Sequence, residues 1–152
     1  MNKVRKQREK ANQSYRRETK ERRDKLKSRS QWLSEAQAAF NKFIRERDKD
    51  EPCISCQRFH NGQYHAGHYR SIGACPELRF EEMNVHKQCA PCNNHLSGNA
   101  IDYRINLVKK IGVENVEWLE GNHELQKLTI DEIKEIKTKY KNKLKELKSR
   151  GL

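Results

Sequence analysis

Two Cys-x-x-Cys pairs, Cys53/Cys56 and Cys89/Cys92, stand 32 residues apart and constrain the fold of this chain more than any other feature. Four thiolates in two tight knuckles make the closed tetrahedral set that Zn²⁺ takes in a structural site. Two identical spacings in so polar a chain point to a metal rather than to four inert core thiols. The intervening stretch is longer than a simple ribbon needs, so the metal closes a long loop, and the contents of that loop decide the function. Cys75 has no such partner and is read as a core thiol. A staple is also needed on general grounds, because only 34% of the 152 residues are apolar, little for a self-sufficient core.

The N-terminal run is charged and has no apolar stretch. We therefore expect neither a signal peptide nor a membrane span, and a reducing cytoplasmic setting in which cysteines bind metal instead of forming disulfides. Of the net charge of +12, most lies in residues 1–30, which hold 13 Lys and Arg against 4 Asp and Glu. Such an arm releases counterions from a phosphate backbone, giving nucleic-acid affinity that ignores sequence and falls with salt. It is equally the composition of a solvated charged helix or a disordered tail.

Residues 1–29 are read as this basic arm, helix-prone or disordered, and residues 30–152 as a helical body with the zinc-bound module at about 53–99. Trp32, Leu33, Ala36, Phe40, Phe43 and Ile44 recur at helical spacing, Ser28 and Gln31 form a capping box, and the helix ends before Pro52. Tyr64–Ser71 and Arg79–Val85 are expected to be strands of a hairpin. A helix over about 100–111 is expected to be capped by Asn99 with Asp102 and stopped by Gly112. A short helical piece around 114–119 precedes a last helix opened by Thr129 and Glu132. Its stripe of Ile133, Ile136, Tyr140, Leu144 and Leu147 suits the body or a second copy of the chain, so a homodimer stays open.

The loop and its edge carry His65, His68, Asn84, His86, Asn93, His95 and Asn99, more imidazole and amide than a plain zinc ribbon uses. The order CISC, AGH, Asn84 in MNVHKQC and CAPCN resembles the HNH nucleases. That resemblance implies an α+β fold with a small ββα-metal core flanked by helices. The segments FIRERDKDEPCISC, HAGHYRS and LRFEEMNVHKQCAPCNNHLSGN further resemble the NinG, or Rap, group of lambdoid-phage recombination endonucleases. The likeness spans roughly residues 30–148. It implies structure-specific cleavage of branched DNA such as Holliday junctions and D-loops, alongside phage or host recombination proteins. Some members of that group carry further cysteines ahead of the basic arm, and this sequence is expected to lack that segment or to have it elsewhere.

Phosphodiester hydrolysis needs a base for water, a charge partner for phosphate and help for the leaving oxygen. His68 suits the base, neutral near physiological pH. Asn93 offers a hard amide oxygen to a hydrated Mg²⁺ or Mn²⁺. Asn84, by its family position, is implied to bridge backbone groups that hold the His68 loop. Many members of the family place an Asp or His ligand directly before the base, where this chain has Gly67. His65 is the first substitute for that ligand, and His95 and Asn99 follow. His86 is read either as a site contact or as structural, and Arg70, Arg79 and Lys87 are candidates for positioning phosphates. A non-catalytic zinc module that binds DNA is the alternative reading.

Overall fold

The computed structural model describes residues 3–151. Lys3–Leu26 form helix α1, a single rod with no buried residue, because its sequence repeats charge instead of an apolar stripe. Exposed i,i+4 pairs such as Arg17–Glu21 at 3.0 Å line it, each contributing only a few tenths of a kcal/mol. Helix α2, Arg29–Arg47, begins at the expected capping box, with Ser28 and Gln31 each accepting from the other's backbone N–H. It buries Trp32, Ala36, Phe40, Phe43 and Ile44.

Helix α2 packs chiefly on helix α5, Ile130–Arg150, which also opens with a complete capping box at Thr129 and Glu132. Ile133 and Tyr140 are fully covered, and Ile136 and Leu147 pack at the margin of the same core. Most of the stripe that sequence offered equally to a second copy packs in this core, while Leu144 borders a groove with Ala38, Ala39 and Lys42. Tyr140 meets Phe40 edge-on at 4.7 Å between ring centroids, and its hydroxyl donates to Glu82 at 3.1 Å.

Two strands, β1 (Tyr64–His68) and β2 (Val85–Cys89), form an antiparallel pair with His68 opposite Val85 and Tyr64 opposite Cys89. The expectation of a second strand over Arg79–Val85 was wrong. All of those residues but Val85, which opens β2, belong to the connection, which folds into 3-10 turns at Pro76–Leu78 and Glu82–Asn84. Asn84 is the reason. Fully buried, it accepts from Arg70 N–H at 2.8 Å and donates to the carbonyls of Arg70 and Leu78 at 3.0 and 3.2 Å. That pins the connection onto the end of β1, which stops at His68 instead of reaching Ser71, and pairing passes to the residues after Asn84.

Past β2 the chain makes one π-helical turn, Pro91–His95, then helices α3 (Ala100–Ile111) and α4 (Val113–Glu120). Gly112 separates them at φ 87°, a conformation that glycine adopts freely. The predicted Asn99 cap is absent. Asn99 sits in the left-handed region at φ 44° with no capping hydrogen bond, and its amide turns to Cys92 Sγ at 3.8 Å. A second core, Ile54, Leu78, Tyr103, Leu107, Val116 and Leu119, lies under α3 and α4. Cys75 belongs to it as expected, with Arg70 donating onto its sulfur at 3.2 Å. No helix among the described residues is long and apolar enough to cross a membrane.

Candidate metal centre and the adjoining trough

The two knuckles bring Cys53, Cys56, Cys89 and Cys92 together with all four sulfurs within 4.8 Å of one another. Cys56 and Cys89 are 3.9 Å apart. A tetrahedron with Zn–S bonds of about 2.3 Å has edges of about 3.8 Å, so the geometry fits a Zn²⁺. Burial opposes ionisation of Cys53, but backbone N–H groups, led by that of Cys89 at 3.3 Å, hold its thiol below the usual range. His60 Nε2 lies 3.3 Å from Cys56 Sγ and the Asn99 amide faces Cys92, a polar surround that could donate hydrogen bonds to metal-bound thiolates.

His68 ends β1, and its Nε2 is 2.9 Å from the Arg79 carbonyl. A carbonyl only accepts, so Nε2 carries the proton and the lone pair is left on Nδ1. Burial pushes the His68 pKa down, helped by the Arg79 charge, against the opposing pull of the Arg79 and Ala66 carbonyls. The imidazole is therefore held neutral, the form that can take a proton. Asn93, in the π turn, lies across the strand with its amide nitrogen 2.9 Å from His65 Nδ1, which leaves its oxygen free. His65, Ala66 and Asn93 border one cavity of about 450 Å³. Ala66, His68 and Asn93 border an adjacent one of about 320 Å³. The two share Ala66 and Asn93 and so lie side by side along β1, together a trough beside the strand.

Gly67 lies on the opposite face of that strand. A Cβ there would collide with the Gln88 side chain, whose own Cβ would be 2.9 Å away. Gln88 donates to Ser55 Oγ at 2.7 Å and to the Gly98 carbonyl at 2.5 Å. Its oxygen packs against Gly67 with no hydrogen-bond partner among the described residues. Residue 67 has no room to supply a metal ligand. Tyr103 fixes the same spot from α3, its hydroxyl donating to the Gly67 carbonyl at 2.7 Å.

The structure sends several other candidates elsewhere. His86 is 3% exposed, with Nε2 on the Met83 carbonyl and Nδ1 3.0 Å from Arg47. It is part of a buried cluster, not a contact in the trough. Burial lowers its pKa despite the neighbouring Asp48. Burial alone would raise the Asp48 carboxyl, but the Arg47 guanidinium, with help from His86 and Lys110, holds it well below the usual carboxylate range. Asp48 in turn accepts from Lys87 N–H at 3.0 Å and so ties β2 to α2. Lys87 Nζ donates to the Lys49 carbonyl, Arg79 Nε to Gln37, and Arg70 to Cys75. Each of these three cations thus commits part of its donor capacity to the fold. His95 is exposed at the end of the π turn and makes no hydrogen bond among the described residues.

Sequence reading missed the Arg47–Asp48 pair, Gln88 and His60, whose neighbours come from distant segments. It also missed Asn41 and Arg45 of α2, which border the trough beside His65. Their i,i+4 spacing on the polar flank of α2 was visible, but nothing in it distinguishes a site from a solvated face.

The family model described as "Bacteriophage Lambda NinG protein" matches residues 1–150. The chain belongs to the NinG family. The NinG protein of Escherichia phage 933W is 52% identical over 124 residues, covering 82% of this chain and 62% of that protein. The NinG protein of Escherichia phage lambda is also 52% identical, with 82% and 61% covered, and that of Salmonella phage P22 is 50% identical over 123 residues, with 81% and 61% covered. The chain thus spans about three fifths of the length of these NinG relatives. No solved structure matches it.

Proposed function

We propose that this chain is an HNH-type, metal-dependent endonuclease that hydrolyses phosphodiester bonds in branched DNA, with a structural zinc at the four cysteines. The observation that carries the reading is His68. A neutral imidazole, locked in one tautomer by the Arg79 carbonyl, borders the same trough as a free amide oxygen on Asn93. In this reading His68 Nδ1 accepts a proton from water, whose oxygen bonds to phosphorus as the bond from phosphorus to the 3′ oxygen breaks. The leaving oxygen takes its proton from solvent. Asn93 Oδ1 would hold a hydrated Mg²⁺ or Mn²⁺, which would supply charge for the phosphate and the departing oxygen, while His65, whose Nδ1 accepts from the Asn93 amide, would keep that oxygen turned to the metal. Asn84 acts by position, because it ties together the two ends of the connection from which the Arg79 carbonyl reaches His68. The choice of branched DNA rests on the family likeness and the arm's charge.

Labelled Holliday junction, fork and linear duplex, each incubated with and without Mg²⁺ or Mn²⁺, test the proposal. Metal-dependent cutting that prefers a branched substrate is expected, and His68→Ala should lower it by about 10²–10⁴-fold with zinc content and DNA binding intact. Unaltered cutting by that variant sinks the assignment. A second reading, a zinc module that binds DNA without cutting it, draws on one observation: the four cysteines are the only cluster of three or more His, Cys, Asp or Glu arranged for a metal among the described residues. Absence of cutting on every substrate selects it.

A further inference from the structure

We infer that Asn41 and Arg45 of α2 form a seat for a backbone phosphate of DNA, separate from the bond that His68 would attack. The inference rests on the reading above only in taking DNA as the ligand.

The polarity of the seat is forced by a chain of hydrogen bonds. Arg79 Nε donates to Gln37 Oε1 at 2.8 Å. A guanidinium has no acceptor, so the Gln37 oxygen must face it and the Gln37 nitrogen must face away. That nitrogen lies 2.7 Å from Asn41 Oδ1, so the Asn41 oxygen accepts and its NH₂ group is left as a pure donor. Arg45 follows one helical turn later. Partly exposed, it makes no hydrogen bond and no ion pair among the described residues, unlike Arg47, Arg70 and Arg79. Both residues border the 450 Å³ cavity with Gln63, Tyr64, His65 and Asn93. No carboxylate borders it. An amide donor pair and an unpartnered guanidinium over a cavity without acids make an anion site, and a guanidinium fork matches phosphate.

The ligand is a phosphate of a nucleic-acid strand. The cavity joins the one bordered by His68 through Ala66 and Asn93, so a strand lying along β1 passes both. The hydrogen-bond chain also starts at the residue whose carbonyl holds His68, which places seat and base in one rigid frame. Arg45 thus joins Arg70, Arg79 and Lys87 as a candidate for positioning phosphate, and it differs from them in having no hydrogen-bond or ion-pair partner among the described residues.

The test is binding of a labelled four-way junction by the full chain without added divalent cation, measured over a range of salt. Arg45→Ala is expected to weaken binding by about tenfold and to reduce the slope of log Kd against log salt by about 1, the signature of one lost phosphate contact. Arg45→Lys should keep the slope. Asn41→Asp, which keeps the acceptor for Gln37 and replaces the donor pair with charge, should weaken binding more than Asn41→Ala. Lys109→Ala, at a cavity elsewhere on α3, removes the same charge outside the seat and should leave the slope nearly unchanged. Arg45→Ala with unchanged affinity and slope overturns the inference, as does an equal effect of Lys109→Ala. Cutting assays with Mg²⁺ separate the two claims: binding that responds as expected in a chain that never cuts removes the nuclease and leaves the seat. Normal cutting with an indifferent Arg45 removes only the seat.

Discussion

At the scale of single residues, Gly67 and Gln88 show how a ligand position can be closed. The Gln88 side chain fills the space that any substituent at 67 would need, while its nitrogen is fixed by two acceptors. Gly67→Asp is therefore expected to destabilise the fold by about 1–3 kcal/mol, the usual cost of overpacking. Gln88→Ala should recover part of that loss when combined with it. Thermal denaturation of the two single variants and the double variant reads the coupling, and strict additivity would contradict the packing account.

His68 and His86 make a second prediction at this scale. Burial holds both below the ordinary 6.5, so the unfolded chain binds protons that the folded chain refuses. Their contribution to stability is complete above about pH 6.5 and is lost as pH falls below it. Asp48 has the carboxylate version, present above its ordinary 3.8 and lost on further acidification. Denaturant midpoints at pH 7.5, 6 and 5 should fall in that order, and His86→Gln should flatten the upper part of the decline. A midpoint indifferent to pH between 7.5 and 5 would contradict the assigned burial of the two imidazoles.

At the scale of elements, the zinc knuckles and β2 are one unit. Cys89 is the last residue of β2, Cys92 lies one turn beyond it, and Cys53 receives the Cys89 N–H. Without a metal the four sulfurs would crowd around an empty centre, and among the described residues β2 has only β1 as a strand partner. Chelation, or Cys89→Ser, should release one Zn²⁺ per chain and expose the trough to hydrogen exchange at residues 64–68 and 85–89. Helices α2 and α5, which pack on each other through Phe40, Ile133 and Tyr140, should keep their protection. Loss of protection in all helices together would mean that the staple holds the whole molecule.

At this scale most of the architecture was legible. Both capping boxes, the stop at Gly112 and the apolar stripes of α2 and α5 follow from local spacing and appear where expected. The second strand did not. Residues 79–85 carry β-compatible side chains, but the hydrogen-bonding of one buried amide, Asn84, with Arg70 and Leu78 outweighs that preference. Asn99 failed as a cap for a similar reason, since its amide faces the Cys92 sulfur.

At the scale of the whole molecule, α1 stands apart because it has no residue to bury. Its contact with the body is at its end, where Lys27 pairs with Asp24 and Glu35 and lies 4.5 Å over the Trp32 ring. Deleting residues 1–26 should leave the melting temperature within a few degrees and lower DNA affinity at low salt, with a shallower salt dependence. A large drop in melting temperature would show that the arm is part of the fold.

The sequence alone determined the four-cysteine cluster that could hold a metal, the helices and the presence of His68 and Asn93 beside it, because metal-ligand motifs and helix formation depend on residue types at short, fixed spacings. It could not say that His86, Arg70, Arg79 and Lys87 are engaged in holding the fold, nor that Arg45 is unpartnered beside the trough. Those outcomes depend on which distant groups meet, as when Asp48 reaches β2 from the end of α2 or Gln37 meets Arg79. Only the tertiary structure makes a side chain's hydrogen-bonding capacity occupied or free, and that decides which of many similar cations and imidazoles remain available to a ligand.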